Sequence, residues 1–132
     1  MLDQVRELAP KNVAVIGWTD ASTFWSAVDC AISTSDNEGM PIALIEAQLA
    51  GIPVVVTDVG SNSEVVEDGV TGLVTNKDSD SLVAALQMLI SNQQLCDSMS
   101  DAAKKLSFQK FNLETMLSQH EGLYITLLTK II

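Results

Sequence analysis

Four short runs of mainly apolar residues divide the chain, and none of them alternates strictly between apolar and polar positions. They cover residues 12–16, 30–33, 52–56 and 72–75. Continuous apolar runs of this length are typical of strands in parallel sheets, whose two faces are both buried. The run at 52–56 is rich in valine, which favours extended backbone. The pattern therefore predicts four short strands in one parallel sheet.

Helical patterns lie between these runs. A short helix is predicted over residues 2–10 and a second over about 21–28. A third opens at Pro41, whose fixed φ suits the first helical position, and closes at Gly51. Because strands and helices alternate, we expect an α/β fold of the Rossmann-like kind, a three-layer arrangement with helices on both faces of the sheet.

A fourth, short helix is indicated by the sequence Ser61-Asn62-Ser63-Glu64, which has the spacing of a capping box. In that arrangement the serine side chain caps the helix and the glutamate side chain reaches back to the first residue. We expect this helix to run through Glu67. Capping is the favoured role for Glu64, and a substrate contact is the alternative.

From about residue 78 the chain is helical throughout. Asn112 is a typical N-cap and divides the last helix from the two before it. Apolar residues recur every three or four positions, which predicts one core-facing stripe on each helix. The three stripes are Leu82, Leu86, Leu89 and Ile90; Leu95, Met99, Ala102 and Leu106; and Leu113, Met116, Leu117, Tyr124, Leu127 and Leu128.

Composition and charge restrict the classes of protein that fit. With 132 residues, 47% hydrophobic and 18% charged, the chain is long enough for one globular domain with a real core. The formal net charge of −10 makes nucleic acid a poor partner. No apolar run is long enough for a membrane span, and the two cysteines lack metal-ligand spacing. Cys30 lies in a strand-like run, where a buried free thiol is favoured, and we therefore expect a protein of the reducing cytoplasm.

The stretch from residue 36 to residue 51 carries the candidate chemistry. The N–H groups and the dipole at the start of the helix attract anions such as phosphate. Glu46 lies five residues beyond Pro41, roughly 7.5 Å along the axis, which is about the reach from a diphosphate to its ribose. An ionised carboxylate can accept both hydroxyl protons of a ribose diol. The alternative is that Glu46 is a surface residue and Glu38 an ordinary turn residue.

The sequence of residues 38–47, Glu-Gly-Met-Pro-Ile-Ala-Leu-Ile-Glu-Ala, resembles the signature of the retaining, GT-B-fold glycosyltransferases of family 4, also called group 1. Flanking blocks at 15–20, 51–55 and 64–74 resemble those of the same family, in the same order. The resemblance extends from about Asn12 to the C-terminus. It implies the donor-binding, C-terminal domain of such an enzyme.

This resemblance implies a function. The whole enzyme would transfer a sugar from a nucleotide-diphosphate donor to an acceptor hydroxyl with retained anomeric configuration, in glycan, polysaccharide or glycolipid synthesis. The resemblance implies a reaction that uses no metal, and the nucleotide sugar is a substrate, so no cofactor is expected. The sugar, the base and the acceptor stay open.

The family's motif also assigns roles to individual residues of this chain. Glu38 would be catalytic by orienting the hydroxyls of the transferred sugar, and Glu46 would hold the ribose. The residues implied for the donor sugar and phosphates are Glu38, Gly39, Met40, Pro41 and Ile42, and those implied for the nucleobase are Trp18 and Thr19. For Trp18, packing against the helix that follows it is an equally good explanation.

The resemblance also implies that residues 1–132 are an incomplete domain. The family's C-terminal domain has two strands and two helices before the block at residue 12, and an N-terminal domain that binds the acceptor. An Arg and a Lys of the family's phosphate site precede that block, and no such pair stands here in that context. We therefore expect a fragment that is inactive alone, with Met1 as an artificial start. Through the missing N-terminal domain, the protein would be peripheral at the inner face of the membrane.

An incomplete sheet has an exposed edge. In the family's strand order, the two missing strands lie between residues 13–16 and residues 30–33. Without them, an unpaired apolar edge is a template for another strand. We expect that residues 13–16 move over to pair with 30–33, or that two chains associate through these edges. We also expect nucleotide sugars to bind no better than millimolar without the basic pair.

Two other functions fit the same fold. A nucleotide-sugar 2-epimerase is one, although such enzymes have different residues around the equivalent helix. A non-catalytic nucleotide-binding or scaffold module is the other, and the absence of the basic pair is what that alternative predicts. A preceding half-domain with the Arg and the Lys would favour the glycosyltransferase.

Overall fold

The computed structural model describes residues 2–131 as one parallel sheet covered by helices. Within that range the strands are β1 (Ala31–Ser33), β2 (Val54–Thr57) and β3 (Gly72–Thr75), in the spatial order β1-β2-β3. All pairs are parallel, which confirms the predicted sheet. The helices are α1 (Leu2–Leu8), α2 (Ala21–Trp25), α3 (Ile42–Leu49), α4 (Asn62–Val65), α5 (Ser79–Ser91), α6 (Gln93–Lys110) and α7 (Leu113–Ile131).

The central strand β2 forms the core by pointing alternate side chains to opposite faces of the sheet. Val54 and Val56 pack with α3 and α4 on one face, and Val55 packs with α5 and Met99 of α6 on the other. All three valines are completely buried, and each contributes about 1.5–3 kcal/mol by leaving water. The predicted three-layer arrangement, with helices on both faces, is therefore confirmed.

The prediction of a strand at residues 12–16, the first of the four, is wrong. Residues 12–16 form no strand in the described part of the chain, and Val13 and Ile16 are about half exposed. A strand exists only where a partner accepts its backbone hydrogen bonds, and no strand of residues 2–131 pairs with the outer side of β1. The expected pairing of 13–16 with 30–33 does not form. Association of two chains through this edge stays a prediction.

The boundaries of β2 follow from how α3 ends. Gly51 has a φ of +79°, and its N–H donates to the carbonyl of Gln48 while that of Ile52 donates to the carbonyl of Ala47. These two bonds are a Schellman motif, which satisfies the last carbonyls of the helix. The N–H of Ile52 is therefore bonded to the end of α3 and not to a neighbouring strand. Strand β2 begins at Val54, two residues later than predicted.

Helix beginnings differ from the predictions in detail. Pro41 is the N-cap of α3, one position before the first helical residue. Ser61 is the N-cap of α4, but its hydroxyl donates to the carboxylate of Glu64 at 3.2 Å and caps no backbone N–H. The predicted capping box is therefore not formed, and α4 ends at Val65. Helix α2 ends at Trp25, three residues earlier than predicted.

The C-terminal helices α5 and α6 bury three residues of their predicted stripes in the core, Leu82, Leu89 and Met99. Four others are half-buried: Leu86, Leu95, Ala102 and Leu106. Ile90 is 77% exposed, so its assignment to the core is wrong. Asn112 accepts a hydrogen bond from the N–H of Thr115 at 2.8 Å, which confirms it as the cap of α7.

The predicted core-facing stripe of α7 is wrong. An apolar helix face is buried only where another part of the fold reaches it, and the core clusters of the described residues do not extend to this helix. The exposed residues are Leu113, Met116, Leu117, Tyr124, Leu127 and Leu128. Across residues 2–131, no helix combines the length and the apolar character that crossing a membrane requires.

Candidate functional site

The loop that follows β1, residues 34–41, is the centre of the site and is called the motif loop below. It is fixed by the ends of the two neighbouring strands. The hydroxyl of Thr57, the last residue of β2, donates to the carbonyl of Ser35 at 2.8 Å. The ammonium of Lys77, just beyond β3, donates to the carbonyl of Asp36 at 2.9 Å. The carboxyl edge of a parallel sheet, where ligands bind, thus determines where this loop lies.

Glu38 lies within the motif loop and is half buried. The hydroxyl of Ser35 donates to its Oε1 atom at 2.6 Å, and the hydroxyls of Ser33 and Ser35 are 3.3 Å apart. The backbone of Gly60, in the loop after β2, packs directly against the backbone of Glu38. The carboxylate therefore has a defined position and still has oxygen lone pairs for other donors.

The motif loop ends at the start of α3, where an anion could bind. Pro41 provides no side-chain cap, and the first turn holds no acidic residue. The N–H groups of a first turn have no partners inside the helix. Met40 and Ile42 are more than half exposed, Pro41 is buried, and open space surrounds Gly39. These residues form an accessible helix N-terminus beside Glu38.

Glu46 is exposed on α3, at the border of a cleft of about 240 Å³. This Glu46 cleft is also lined by Thr19, so the structure brings the predicted ribose residue and one predicted base residue together. Trp18 does not line the cleft, and its side chain is 94% exposed. The remaining lining residues are Ile16, Gly17, Ala21, Phe24 and Trp25.

Beside the cleft, α2 begins at a strong cap. Asp20 accepts hydrogen bonds from the Ser22 hydroxyl at 2.5 Å and from the Thr23 N–H at 3.1 Å. These bonds lower the pKa of the Asp20 carboxyl because they stabilise its charged form. Asp20 therefore stays ionised at neutral pH and fixes the start of the helix that carries Phe24 and Trp25.

Three residues at the site are not among the sequence-predicted ones. Trp25 places its Nε1 atom 3.5 Å from Oε2 of Glu46, Gly60 contacts Glu38, and Lys77 contacts Asp36. Lys77 also lies 3.8 Å from Oδ1 of Asp36. The sequence could have indicated Lys77 as a site residue, because it closely follows the β3 strand and the carboxyl ends of parallel strands meet at one edge of the sheet.

Other features of the described residues lie away from these groups. A larger groove of about 810 Å³ lies between β3 and α5, and none of the predicted site residues lines it. Within residues 2–131, no three His, Cys, Asp or Glu side chains are grouped so that they could hold a metal ion.

These elements define an α/β domain of the Rossmann-like kind, with its candidate site at the carboxyl edge of the sheet. The family described as glycosyl transferases group 1 matches residues 4–106. The chain belongs to this family. The resemblance drawn from residues 38–47 and their flanking blocks is thereby confirmed.

Individual relatives agree with the family. The chain is 29% identical over 117 residues to a UDP-Gal:alpha-D-GlcNAc-diphosphoundecaprenol alpha-1,3-galactosyltransferase of Escherichia coli. That alignment covers 87% of this chain and 30% of the relative. The chain thus spans less than a third of the length of this curated relative.

Two solved structures are similar in fold. Anabaena HepE in complex with UDP has a TM-score of 0.72 and 28% identity, and the match covers 78% of this chain and 29% of HepE. The C-terminal domain of LpcC, a group 1 glycosyl transferase of Francisella tularensis, has a TM-score of 0.68 and 24% identity, over 74% of this chain and 53% of that one. The chain therefore corresponds to part of the C-terminal domain of a GT-B-fold glycosyltransferase.

Proposed function

We propose that this chain forms the part of a glycosyltransferase that holds the diphosphate and ribose of a nucleotide-sugar donor. The observation that carries the proposal is that one continuous segment leads from the motif loop at the sheet edge through the start of α3 to the Glu46 cleft. The name of the Escherichia coli relative specifies UDP-galactose as its donor, and HepE was solved with UDP.

The diphosphate is proposed to bind at the N-terminus of α3. The N–H groups of Ile42 and Ala43 are in its first turn, where they have no partner inside the helix. In glycosyl transfer the diphosphate is the leaving group, so donors that stabilise its developing charge accelerate the reaction. Lys77 adds a positive charge at the motif loop, in a chain whose net charge is −10.

The ribose is proposed to bind Glu46. Glu46 follows Ile42 by four residues, roughly 6 Å along the helix axis, so a nucleotide with its diphosphate at the helix start reaches it with its ribose. The carboxylate accepts both hydroxyl protons of the diol. Thr19 lines the same cleft and is proposed to contact the base, with Trp18 as the more exposed candidate beside it.

The sugar is proposed to lie against Glu38, on the far side of the diphosphate from the ribose. The carboxylate of Glu38 accepts a hydrogen bond from the Ser35 hydroxyl, and its remaining acceptor positions are available to sugar hydroxyls. Retention of configuration and a metal-independent reaction are part of the proposal. So is an acceptor site supplied by residues outside this chain, without which the chain alone transfers no sugar.

Titration of the ¹⁵N-labelled chain with UDP, ADP and GDP tests the proposal. We expect millimolar binding, with shifts concentrated at residues 38–46 and in the Glu46 cleft. A base preference among the three nucleotides would identify the donor class. Absence of shifts at these residues with all three nucleotides would contradict the proposal and favour a scaffold module.

A further inference from the structure

Trp25 is the aromatic residue that joins α2 to α3 at the Glu46 cleft. Its ring is half buried against the core cluster around Leu44 and Val54. It also meets the ring of Phe24 edge-to-face, with 4.7 Å between centroids and 74° between planes. Packing on these sides fixes the direction in which its one polar group, the indole N–H, points.

The indole N–H points to Glu46. Nε1 of Trp25 lies 3.5 Å from Oε2 of Glu46. This is longer than the 2.7–3.2 Å usual for such bonds, and hydrogen bonds at functional sites are often long until a ligand is bound. An indole can only donate and an ionised carboxylate can only accept, so the pair is complementary.

Orientation matters for a carboxylate that is exposed on a helix. A free glutamate side chain samples several rotamers, and fixing it on a ligand costs conformational entropy. A hydrogen bond from a packed ring to Oε2 limits that sampling before the ligand arrives. It leaves Oε1, and the second lone pair of Oε2, to accept protons from a ligand.

We propose that Trp25 is a positioning residue that orients Glu46 to receive the two hydroxyls of a ribose. This inference rests on the proposed function, because it assumes that Glu46 binds ribose. Trp25 touches the carboxylate, and the carboxylate touches the nucleotide.

The contact itself is tested without any ligand. The chain contains two tryptophans, Trp18 and Trp25, so its ¹⁵N spectrum has two indole N–H signals. Glu46→Ala is expected to move the Trp25 signal and to leave that of the exposed Trp18 in place. An unmoved Trp25 signal would overturn the inference whether or not the chain binds nucleotides.

The positioning role is tested by a double-mutant cycle with UDP. Trp25→Phe keeps an aromatic ring against Phe24 and removes the N–H. It is expected to weaken UDP binding by about threefold to tenfold in the wild-type background. In the Glu46→Ala background the same change is expected to leave the UDP affinity unchanged, because no carboxylate remains to be oriented.

The other outcomes separate the two hypotheses. An equal loss with and without Glu46 would make Trp25 a packing residue only and overturn the positioning role. If none of UDP, ADP and GDP binds the wild-type chain, the proposed function and the ribose role fail together, even where the ligand-free signals confirm the contact. A spectrum of Trp25→Phe with native dispersion shows that the variant is folded.

Discussion

The backbones of Gly60 and Glu38 are in direct contact. A Cβ atom at position 60 would lie 1.9 Å from the carbonyl oxygen of Glu38, and the φ of Gly60 is +50°. Gly60 follows β2 and Glu38 follows β1, so the loop after β2 limits how closely the motif loop can approach the edge of the sheet. A side chain at position 60 would push the motif loop outward from the sheet edge.

Gly60→Ala is therefore expected to lower both stability and UDP affinity. The positive φ alone costs about 1–2 kcal/mol for an L-residue, and the clash adds to it. The matched control is Gly69→Ala, since Gly69 has a φ of +74° and nothing within 4 Å of its Cβ position. Thermal melts should show losses for both variants, while titration should show weaker UDP binding for Gly60→Ala alone. Equal UDP affinities would mean that Gly60 does not position the motif loop.

Glu46→Ala is expected to weaken nucleotide binding because the ribose diol loses hydrogen bonds to a charged acceptor. Such bonds contribute about 1.5–3 kcal/mol. Glu114→Ala, on the exposed first turn of α7, serves as a charge-matched control and should bind as the wild type does. Unchanged UDP affinity in Glu46→Ala would remove this residue from the site.

Glu38→Ala is expected to distinguish the sugar from the nucleotide. Because Glu38 is proposed to face the transferred sugar, its loss should reduce affinity for an intact UDP-sugar more than affinity for UDP. Titration of wild type and variant with both ligands measures the difference. A matched loss for UDP and UDP-sugar would place Glu38 against the nucleotide instead.

Lys77→Met is expected to loosen the motif loop, since the ammonium of Lys77 holds the carbonyl of Asp36. Amide hydrogen exchange at residues 36–40 should accelerate and UDP affinity should fall, with little change in global stability because the lysine is half exposed. Lys105→Met, at an exposed position of α6, is the control. Exchange that is unchanged in Lys77→Met would show that the lysine does not fix the loop.

Asp78 is expected to make stability depend on acidic pH. The N–H and hydroxyl of Ser81 donate to its carboxylate and lower its pKa below the usual 3.8. Because the pKa of Asp78 is lower in the folded than in the unfolded chain, its charged carboxylate stabilises the fold at pH values above the unfolded-state pKa. This contribution is lost as the pH falls through the folded-state pKa. Asp78→Asn keeps a capping oxygen without this titration.

Melting temperatures between pH 5 and pH 2 check this prediction. They should fall less steeply for Asp78→Asn than for the wild type. Asp101→Asn, at an exposed position inside α6, should retain the wild-type slope. Parallel curves for Asp78→Asn and the wild type would show that the cap does not contribute through its charge.

The sequence by itself determined the features that depend on neighbouring residues. Gly51 ends α3 because an αL glycine lets the following N–H groups return to the last carbonyls of the helix. Residues 72–75 form a strand with the predicted bounds. Residues 38–47 and their flanking blocks identified the family because each block is a continuous stretch of sequence and the blocks follow one another in a fixed order.

The tertiary structure alone decided the features that depend on partners far along the chain. Residues 12–16 have the composition of a strand, but no neighbouring strand of the described chain accepts their hydrogen bonds. The stripe on α7 has the period of a buried helix, yet the rest of the fold does not reach it. Trp25 and Lys77 reach the site through contacts that span 21 and 41 residues. Local sequence encodes backbone preference and periodicity, whereas burial and contact require a second surface, and only the folded chain shows where that surface lies.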